Sequence, residues 1–498
     1  MTGDKSCVSA SFADIDNDGD ADLSVSVIRD GNFLFENQGD GTFKDISKLA
    51  KVDFHGHSSG ICFFDFNKDG LLDIFTTSIG IYTTGEKVYF EKNGKTYSYY
   101  VGVKDGFAGH LKPERFEKSQ LYQNMGDNVF KNVSKTMGID DNSWCGDAIA
   151  FDANDDNYPD LYVTNMQGLD EYYENDLGKR FIKKSRAIFP NTSWGSMGID
   201  VFDFNNDGLQ DMYITDMHSD MGGNSALGLS MEKIKRDAFP EGFLKSNGAN
   251  IAGNSFFKKT DKNQYQEISD NINAENYWPW GISTGDLNAD GFVDVFVSKS
   301  MNYPFRYTEN LILLNENGER FLDSEYVLGI EPRINNAYAK PWFELDCDGA
   351  DKDHADCHNK SGKQTIYGAL GTRSSVVFDM DNDGDLDIVT NEYNDRPMVF
   401  VSNLSEKKDL NYLKIKLQGA KSNRDGLGAT VIVKTANNTY TKVHDGKSGY
   451  LSHSSLPLYF GLGEEKELES IEVIWPSGKK QILNDVANKE FLTLVEQN

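Results

Sequence analysis

The sequence is short of cysteine, of proline and of positive charge. Its 498 residues include five cysteines, which is too few for a disulfide framework. The 11 prolines against 46 glycines fit the composition of a globular protein. Lys and Arg number 50 against 78 Asp and Glu, which leaves a net charge of −28. Such a surface repels phosphate backbones, so we do not expect nucleic acid as a partner.

Long apolar runs are absent as well. No stretch approaches the roughly 18 apolar residues that a bilayer span needs, so no membrane span is expected. The opening residues, Met1-Thr2-Gly3-Asp4, lack a charged-then-apolar leader. Either no export signal exists, or the sequence begins after it.

One nine-residue pattern, Asp-x-Asp/Asn-x-Asp-Gly-x-x-Asp, is repeated along the chain. Five full copies and one altered copy begin at Asp14, Asp65, Asp152, Asp203, Asp286 and Asp379. In the altered copy Asn157 replaces the glycine, and Asn is the residue that tolerates a left-handed backbone best after Gly. The copies hold 23 of the acidic residues, so much of the acidity belongs to the repeat.

The spacing of the repeat predicts a calcium loop. Oxygen side chains at positions 1, 3, 5 and 9, with a backbone carbonyl at position 7, suit Ca²⁺, which accepts about six to eight oxygens at loose geometry. The loops contain no His or Cys, which argues against zinc or copper. We expect about six Ca²⁺ sites, with ligands Asp14, Asp16, Asp18, Asp20, Asp22, Asp65, Asn67, Asp69, Leu71, Asp73, Asp152, Asn154, Asp156, Tyr158, Asp160, Asp203, Asn205, Asp207, Leu209, Asp211, Asp286, Asn288, Asp290, Phe292, Asp294, Asp379, Asp381, Asp383, Asp385 and Asp387.

The loops are not EF-hands. An EF-hand needs a bidentate Glu at position 12. That position is occupied by Val25, Thr76, Val163, Ile214, Val297 and Thr390. The flanks also read as strands, as in Ile61-Cys-Phe-Phe before a loop and Leu72-Asp-Ile-Phe after it, so each loop should join two strands of a hairpin.

A second repeated phrase, such as Leu34-Phe-Glu-Asn37-Gln-Gly-Asp-Gly-Thr-Phe43, follows the loops and reads as another hairpin. Two hairpins make a four-stranded unit, and the shortest spacing, from Asp14 to Asp65, is 51 residues. Four-stranded units at this period are typical of β-propeller blades. Six loops require at least six blades. Segment 324–372 is either a seventh, metal-free blade or one large insertion, and we favour seven.

The blades resemble FG-GAP/VCBS repeats. The phrases Trp194-Gly-Ser-Met-Gly, Thr215-Asp-Met-His-Ser-Asp-Met221 and Trp278-Pro-Trp-Gly281 resemble the cartilage acidic protein family. The tail contains Leu413-Lys-Ile-Lys-Leu417, Ser448-Gly-Tyr-Leu-Ser-His-Ser455 and Ile471-Glu-Val-Ile-Trp475-Pro-Ser-Gly478, and it resembles an ASPIC/UnbV domain. The resemblance implies an all-β protein, with a propeller over residues 1–408 and a small β domain over residues 411–498.

Blade geometry separates the loops onto two faces. The calcium loops join the first and second strands of each blade, so segments 78–118 and 216–251, which follow second strands, should project from the opposite face. Segment 324–372, between blades, should do the same. Candidate residues for a second site on this insertion face are His55, His57, His110, Asp216, His218, Asp220, Trp278, Trp280 and Arg373, joined by His354 and His358. They indicate a His/Asp centre, a small-ligand or glycan contact, or merely hydrogen-bonded loop residues.

One further loop is acidic. Asp346, Asp348, Asp351 and Asp353 resemble a cation loop, but the strand-forming exit of the other six is missing. The alternative is an acidic loop pinned by a Cys347–Cys357 disulfide, which would suit an oxidising compartment. Cys7, Cys62 and Cys145 lie in apolar runs and are expected to be buried thiols.

Three functions remain open. The first is a secreted or periplasmic calcium-binding module that recognises a protein or glycan through the insertion face, since near-millimolar extracellular calcium would saturate even modest sites. The second is an enzyme with a small-molecule substrate at the same face, because UnbV-like tails also occur in natural-product pathways. Convergence of His55, His57 and His218 on one pocket would favour it. The third is a structural matrix component or adhesin.

Overall fold

The computed structural model of the protein describes residues 5–92, 94–142, 144–217, 240–300, 307–484 and 486–497. Strands dominate these residues. The α-helices are single turns, α1 to α4, at Ser47–Ala50, Ser185–Ile188, Glu241–Leu244 and Leu404–Lys407. Short 3₁₀ turns occupy Gly106–Leu111, Pro113–Arg115, Ile334–Asn336 and Ala355–Cys357. None of the helices described here is long and apolar enough to cross a membrane.

Six antiparallel sheets follow one another along residues 7–400. The first contains β1 to β4, at Cys7–Ala13, Asp22–Val27, Phe33–Asn37 and Phe43–Asp45. The second contains β5, β6, β9 and β10, at Ser58–Phe64, Asp73–Ser78, Gln120–Asn124 and Phe130–Asn132. The third contains β11 to β14, at Trp144–Phe151, Asp160–Gln167, Glu171–Asn175 and Phe181–Lys183.

The fourth and fifth sheets repeat this four-strand order. The fourth contains β16, β17, β19 and β20, at Ser196–Phe202, Asp211–Asp216, Ser255–Asp261 and Gln264–Glu267. The fifth contains β21 to β24, at Pro279–Gly285, Asp294–Lys299, Leu311–Glu316 and Arg320–Asp323. The sixth has three strands, β27 to β29, at Gly371–Phe378, Asp387–Tyr393 and Met398–Phe400.

Three insertions interrupt the series of blades. Strands β7 (Thr83–Lys92) and β8 (Lys95–Gly102) form a hairpin inside the second blade. Strands β15 (Thr192–Ser193) and β18 (Asn250–Ile251) pair in parallel beside the fourth. Strands β25 (Ala339–Asp346) and β26 (Lys363–Ala369) form a hairpin before the sixth. Segment 324–372 therefore holds a two-stranded insertion in place of the seventh blade that was favoured, and the described residues form six blades.

The first strands of the blades, β1, β5, β11, β16, β21 and β27, contact one another in succession, as the inner strands of a propeller do. A hydroxyl twelve residues after the first Asp of a loop fastens one blade to the next. The Thr77 hydroxyl donates to the Gly146 carbonyl at 3.0 Å, and the Thr215 hydroxyl to the Trp280 carbonyl at 2.9 Å. In the sixth blade the corresponding residue is Asn391, which is exposed.

The C-terminal domain contains two sheets. In one, β30 (Tyr412–Gln418) lies between β33 (Leu458–Gly461) and β36 (Glu490–Val495). The other has the order β32-β31-β34-β35, with β31 at Thr430–Thr435, β32 at Thr439–Val443, β34 at Leu468–Ile474 and β35 at Lys480–Asn484. Alternate residues of β30, β31 and β34 meet in an apolar core around Trp475, so the domain has a core of its own.

A loop of this domain, residues 445–455, enters the propeller. The Phe12 amide of the first blade donates to the His453 carbonyl at 2.8 Å, and the Ser374 hydroxyl of the sixth donates to the Tyr450 carbonyl at 3.1 Å. The Lys447 ammonium forms a buried ion pair with Asp147 at 2.5 Å. This plug loop therefore joins the first and last blades and fills the channel between them.

The cysteines fall into two groups. Cys347 and Cys357 form the predicted disulfide. Cys62 and Cys145 are buried free thiols, as expected, but the expectation was wrong for Cys7, which is exposed. Cys7 is the first residue of β1, and Val8 and Ala10 beside it are also exposed.

Candidate functional site

Each Asp-rich loop joins the first two strands of its blade, as predicted. In the second blade, Asp65 at position 1 accepts hydrogen bonds from the amides of Asp69 at 3.1 Å and Gly70 at 2.8 Å. Asp73 at position 9 accepts from the amides of Phe66 at 3.1 Å and Asn124 at 2.8 Å. The first and last carboxylates thus fold the loop back on itself.

The loop backbone needs two left-handed residues. At position 4 of the second loop Lys68 has φ 60°, and at position 6 Gly70 has φ 86°. In the altered third loop Asn157 takes the glycine position with φ 67°, which confirms that Asn supplies the same turn.

The loop carboxylates crowd one another. Burial, aided by the charges of neighbouring loop aspartates, raises the pKa of Asp65 to about 6, of Asp211 to about 7 and of Asp160 to about 8. In the first and sixth loops, three carboxylate oxygens lie within 4.8 Å of one another, from Asp14, Asp16 and Asp18 and from Asp379, Asp381 and Asp387. The other four loops carry Asn at position 3. A divalent cation would offset this repulsion.

Several loop oxygens lack a hydrogen-bond donor although they are buried. They belong to Asp20, Asn205, Asp379 and Asp385. An oxygen-only donor set with orphaned acceptors fits a hard cation such as Ca²⁺. The sixth loop differs in one respect, because the Lys414 ammonium lies 2.6 Å from Asp379 and already supplies one positive charge.

The asparagine of the second repeated phrase couples neighbouring loops. The Asn175 amide donates to the Pro159 carbonyl of its own loop at 3.0 Å and to the Phe66 carbonyl of the preceding loop at 2.9 Å. Asn124 and Asn315 make the same pair of contacts in their blades. The sequence predicted a turn at these residues but not their hydrogen bonds to two loops. The constant position of the asparagine in the repeat could have indicated these bonds.

The C-terminal domain covers the loop face. Asp425 accepts from the Asp14 amide at 2.9 Å, the Tyr459 hydroxyl donates to the Gly384 carbonyl at 2.9 Å, and the Gly463 amide donates to the Ala289 carbonyl at 3.1 Å. A cavity of about 200 Å³ remains beneath the domain, lined by Asp200, Lys442, His444, Asp445 and Lys447 among others. Burial and the charge of Asp200 raise the pKa of Asp445 to about 8.

On the opposite face, the predicted histidines are held by separate partners. His57 is buried between Glu117, 3.1 Å from its Nδ1, and Thr83, 2.8 Å from its Nε2. His110 packs edge-on against Trp194 and lies 2.7 Å from the Phe243 carbonyl. His55 is largely exposed, with its Nδ1 3.1 Å from the Arg29 carbonyl.

The remaining candidates differ in their surroundings. Asp216 is buried and accepts from the amides of Trp194 and Gly195. Trp278 has φ 51° and a buried indole N–H without an acceptor. Exposed residues among the candidates include His354 and His358. His218 and Asp220 lie outside the described residues. Within those residues, neither of the two clusters of three metal-ligating side chains contains a histidine.

Trp280 and Arg373 are the two candidates that contact each other. The Arg373 guanidinium carbon lies 3.5 Å from the centroid of the Trp280 ring and 5.0 Å from that of Tyr393. Because Trp280 begins the fifth blade and Arg373 the sixth, the pair lies at the ends of the inner strands that are remote from the Asp-rich loops.

The acidic loop at 346–353 is arranged differently from the other six. Asp351 accepts from the Asp346 amide and Asp348 from the Gly362 amide, both at 2.8 Å. In the part of the chain that the structure describes, neither cluster of convergent carboxylates includes this loop. A cation there stays a prediction.

Comparison with known proteins agrees with this architecture. Residues 14–76 and 152–214 match the FG-GAP-like repeat, and residues 419–498 match the family described as ASPIC and UnbV. A 44-residue stretch, 9% of this chain, is 54% identical to cartilage acidic protein 1 of Homo sapiens and 52% identical to that of Xenopus tropicalis. The match spans 7% of the length of either relative.

Solved structures give a weak likeness. A Trypanosoma rangeli sialidase aligns over 81% of this chain and 56% of its own, with 9% identity and a TM-score of 0.34. The rhamnogalacturonan lyase YesW aligns over 99% of this chain and 73% of its own, with 12% identity and a TM-score of 0.32. At these scores the likeness carries no functional argument.

The chain is an all-β protein whose propeller blades include matches to the FG-GAP-like repeat and whose C-terminal domain matches ASPIC and UnbV. The resemblance to the cartilage acidic protein family that the motifs indicated is confirmed.

Proposed function

We propose that the protein is an extracellular recognition module whose propeller is stabilised by Ca²⁺ and whose insertion face binds a protein or glycan. In this proposal the six loops hold calcium through positions 1, 3, 5 and 9 and the carbonyl at position 7. The ions neutralise buried carboxylates and fix the turns, and they take no part in ligand binding.

The observation that carries the proposal is the unequal covering of the two faces. The C-terminal domain is packed over the calcium loops, whereas the hairpins β7–β8 and β25–β26 extend from the opposite face. These hairpins expose large aromatic side chains. Phe90, Tyr97 and Tyr99 are clustered on the first, and Trp342 and Tyr367 lie on the second. Exposed aromatic clusters of this kind mark binding surfaces.

The surroundings of the insertion-face histidines weigh against the enzyme alternative. Both ring nitrogens of His57 and of His110 are engaged by the protein's own residues, which suits positioning rather than proton transfer. No specific feature of the described residues favours catalysis over binding.

An array of extracellular glycans and proteins tests the proposal. The full chain is applied in calcium and in chelator, beside a Trp342→Ala/Tyr367→Ala variant. The matched control is Ile482→Ala/Phe491→Ala, which removes exposed apolar side chains from the C-terminal domain. We expect calcium-dependent binding that the hairpin variant weakens and the control retains. Loss in the control with full binding by the hairpin variant would contradict the assignment of the face.

A further inference from the structure

The insertion-face end of the channel contains an aromatic cluster around one arginine. Arg373 stacks on Trp280, and Tyr393 lies at the arginine's other side. Tyr450, from the plug loop of the C-terminal domain, packs edge-on to Trp280 with ring centroids 6.3 Å apart, and its hydroxyl reaches Met166 at 4.0 Å. Two blades and the C-terminal domain therefore build this cluster together.

The charge of Arg373 has no acidic partner among the described residues. Burial lowers the pKa of Arg373 to about 10, and the titratable groups acting on it are Tyr450 and Tyr393. The guanidinium is still protonated at neutral pH. Buried arginines usually pair with carboxylates, and Arg333 does so, with Glu392 at 2.6 Å and Asp395 at 3.1 Å. A desolvated charge without a counterion is costly to retain.

The donors of the cluster remain available. Stacking on Trp280 uses the flat face of the guanidinium and leaves its N–H edge free, and Arg373 donates no hydrogen bond to any described residue. The indole N–H groups of Trp278 and Trp280 are buried and also lack acceptors. The Trp280 indole N–H and the Arg373 guanidinium therefore bring unpaired donors together near one end of the channel.

We propose that this cluster is a subsite for the carboxylate group of an organic ligand, held edge-on by Arg373 with Trp280 fixing the plane of the guanidinium. One planar cation with two parallel N–H donors matches a singly charged carboxylate. A phosphate dianion would find no second positive charge from Lys or Arg in this cluster. The inference rests on the proposed function, since it assigns a chemical class to the ligand of the same face.

Ligand-observed NMR with D-glucuronate tests the subsite, and D-glucose serves as its neutral match. We expect the calcium-loaded full chain to bind glucuronate but not glucose. Arg373→Gln should weaken glucuronate binding about tenfold or more, and Arg373→Lys should weaken it less, because the charge remains but the bidentate edge is lost. Arg396→Gln, an exposed arginine in the loop between β28 and β29, makes the same charge change and should bind as the parent does.

A second measurement uses chemical modification of the unsubstituted protein. Phenylglyoxal reacts with accessible, unpaired guanidinium groups, and peptide mass spectrometry reports the adduct at each arginine. We expect Arg373 to react and glucuronate to protect it, while Arg333 stays unmodified. Equal binding of glucuronate and glucose, or unweakened binding by a folded Arg373→Gln variant, would overturn the subsite.

The two proposals fail separately. If array ligands bind through the insertion face while Arg373→Gln keeps full affinity for glucuronate, the subsite is wrong and the recognition proposal stands. If no array ligand binds while glucuronate affinity depends on Arg373, the subsite stands and the recognition proposal falls.

Discussion

Single residues at the ends of the domains decide much of the local stability. Glu496 is an example, because its carboxylate accepts hydrogen bonds from the amides of Ala420, Lys421 and Ser422 and from the Ser477 hydroxyl. Burial alone would raise its pKa, but these donors lower the pKa from 4.5 to about 2. The carboxylate therefore contributes stability that is complete above pH 4.5 and is lost as pH falls through about 2.

We predict that Glu496→Gln lowers the free energy of unfolding of the C-terminal domain by about 1–3 kcal/mol at neutral pH, because the amides lose an ionised acceptor. Its stability should also change less than that of the parent between pH 4.5 and 2. Denaturant unfolding across this pH range measures both effects. Glu469→Gln, at an exposed position of β34, is the control. Identical curves for the two variants would refute the role of Glu496.

At the residue scale the sequence predicted the backbone conformation of the repeat well. The requirement for a left-handed residue at position 6 led to Asn157, and its φ of 67° confirms it. The exposure of Cys7 could not be predicted from the sequence, because the apolar residues around it resemble those of buried first strands. Burial there depends on a neighbouring blade, which is a property of the whole ring.

At the scale of elements, strand order decides what lies on each face. Loops after first strands and insertions after second strands must be on opposite faces, and the hairpin β7–β8 within 78–118 follows this rule. The number of blades could not be derived in the same way. The length of 324–372 allows a blade, but the hairpin β25–β26 and its disulfide use that length differently.

The hydroxyls that link neighbouring blades lead to a prediction at this scale. Thr77 accepts from the Gly60 amide at 2.6 Å and donates to the Gly146 carbonyl at 3.0 Å. Thr77→Val keeps the shape but leaves the Gly60 amide without its acceptor and removes one of the two hydroxyls that contact the Gly146 carbonyl, so it should cost about 1–3 kcal/mol. Thermal melting against Thr493→Val, the same change at an exposed site in β36, measures the cost. An equal melting temperature for both variants would mean that the hydroxyl does not join the blades.

At the scale of the whole molecule, the C-terminal domain is the element that completes the propeller. Its contacts join residues about 400 positions apart, such as Asp14 and Asp425, and no periodic pattern in the sequence predicts such contacts. The sequence therefore predicted both domains but not that one covers the Asp-rich loops of the other.

The plug loop supplies the prediction at this scale. Lys447 and Asp147 are both almost fully buried, and Asp147 also accepts from the Leu451 amide. Lys447→Met leaves a buried carboxylate without its cation and should destabilise the docked state by about 3–5 kcal/mol. Limited proteolysis between the domains and thermal melting should both detect it. Lys416→Met, at an exposed position of β30, should behave as the parent. Resistance of Lys447→Met to both assays would show that the plug does not hold the domains together.

The most direct measurement is a calcium titration of the metal-stripped full chain, followed by calorimetry and by thermal melting. We predict about six bound ions per chain and a strong rise in melting temperature. When the free calcium concentration is a hundredfold above the Kd of a site, that site adds about 2.7 kcal/mol to the free energy of unfolding. Magnesium at the same concentration should have a much smaller effect. Melting temperatures that are equal in chelator and in millimolar calcium would contradict the account.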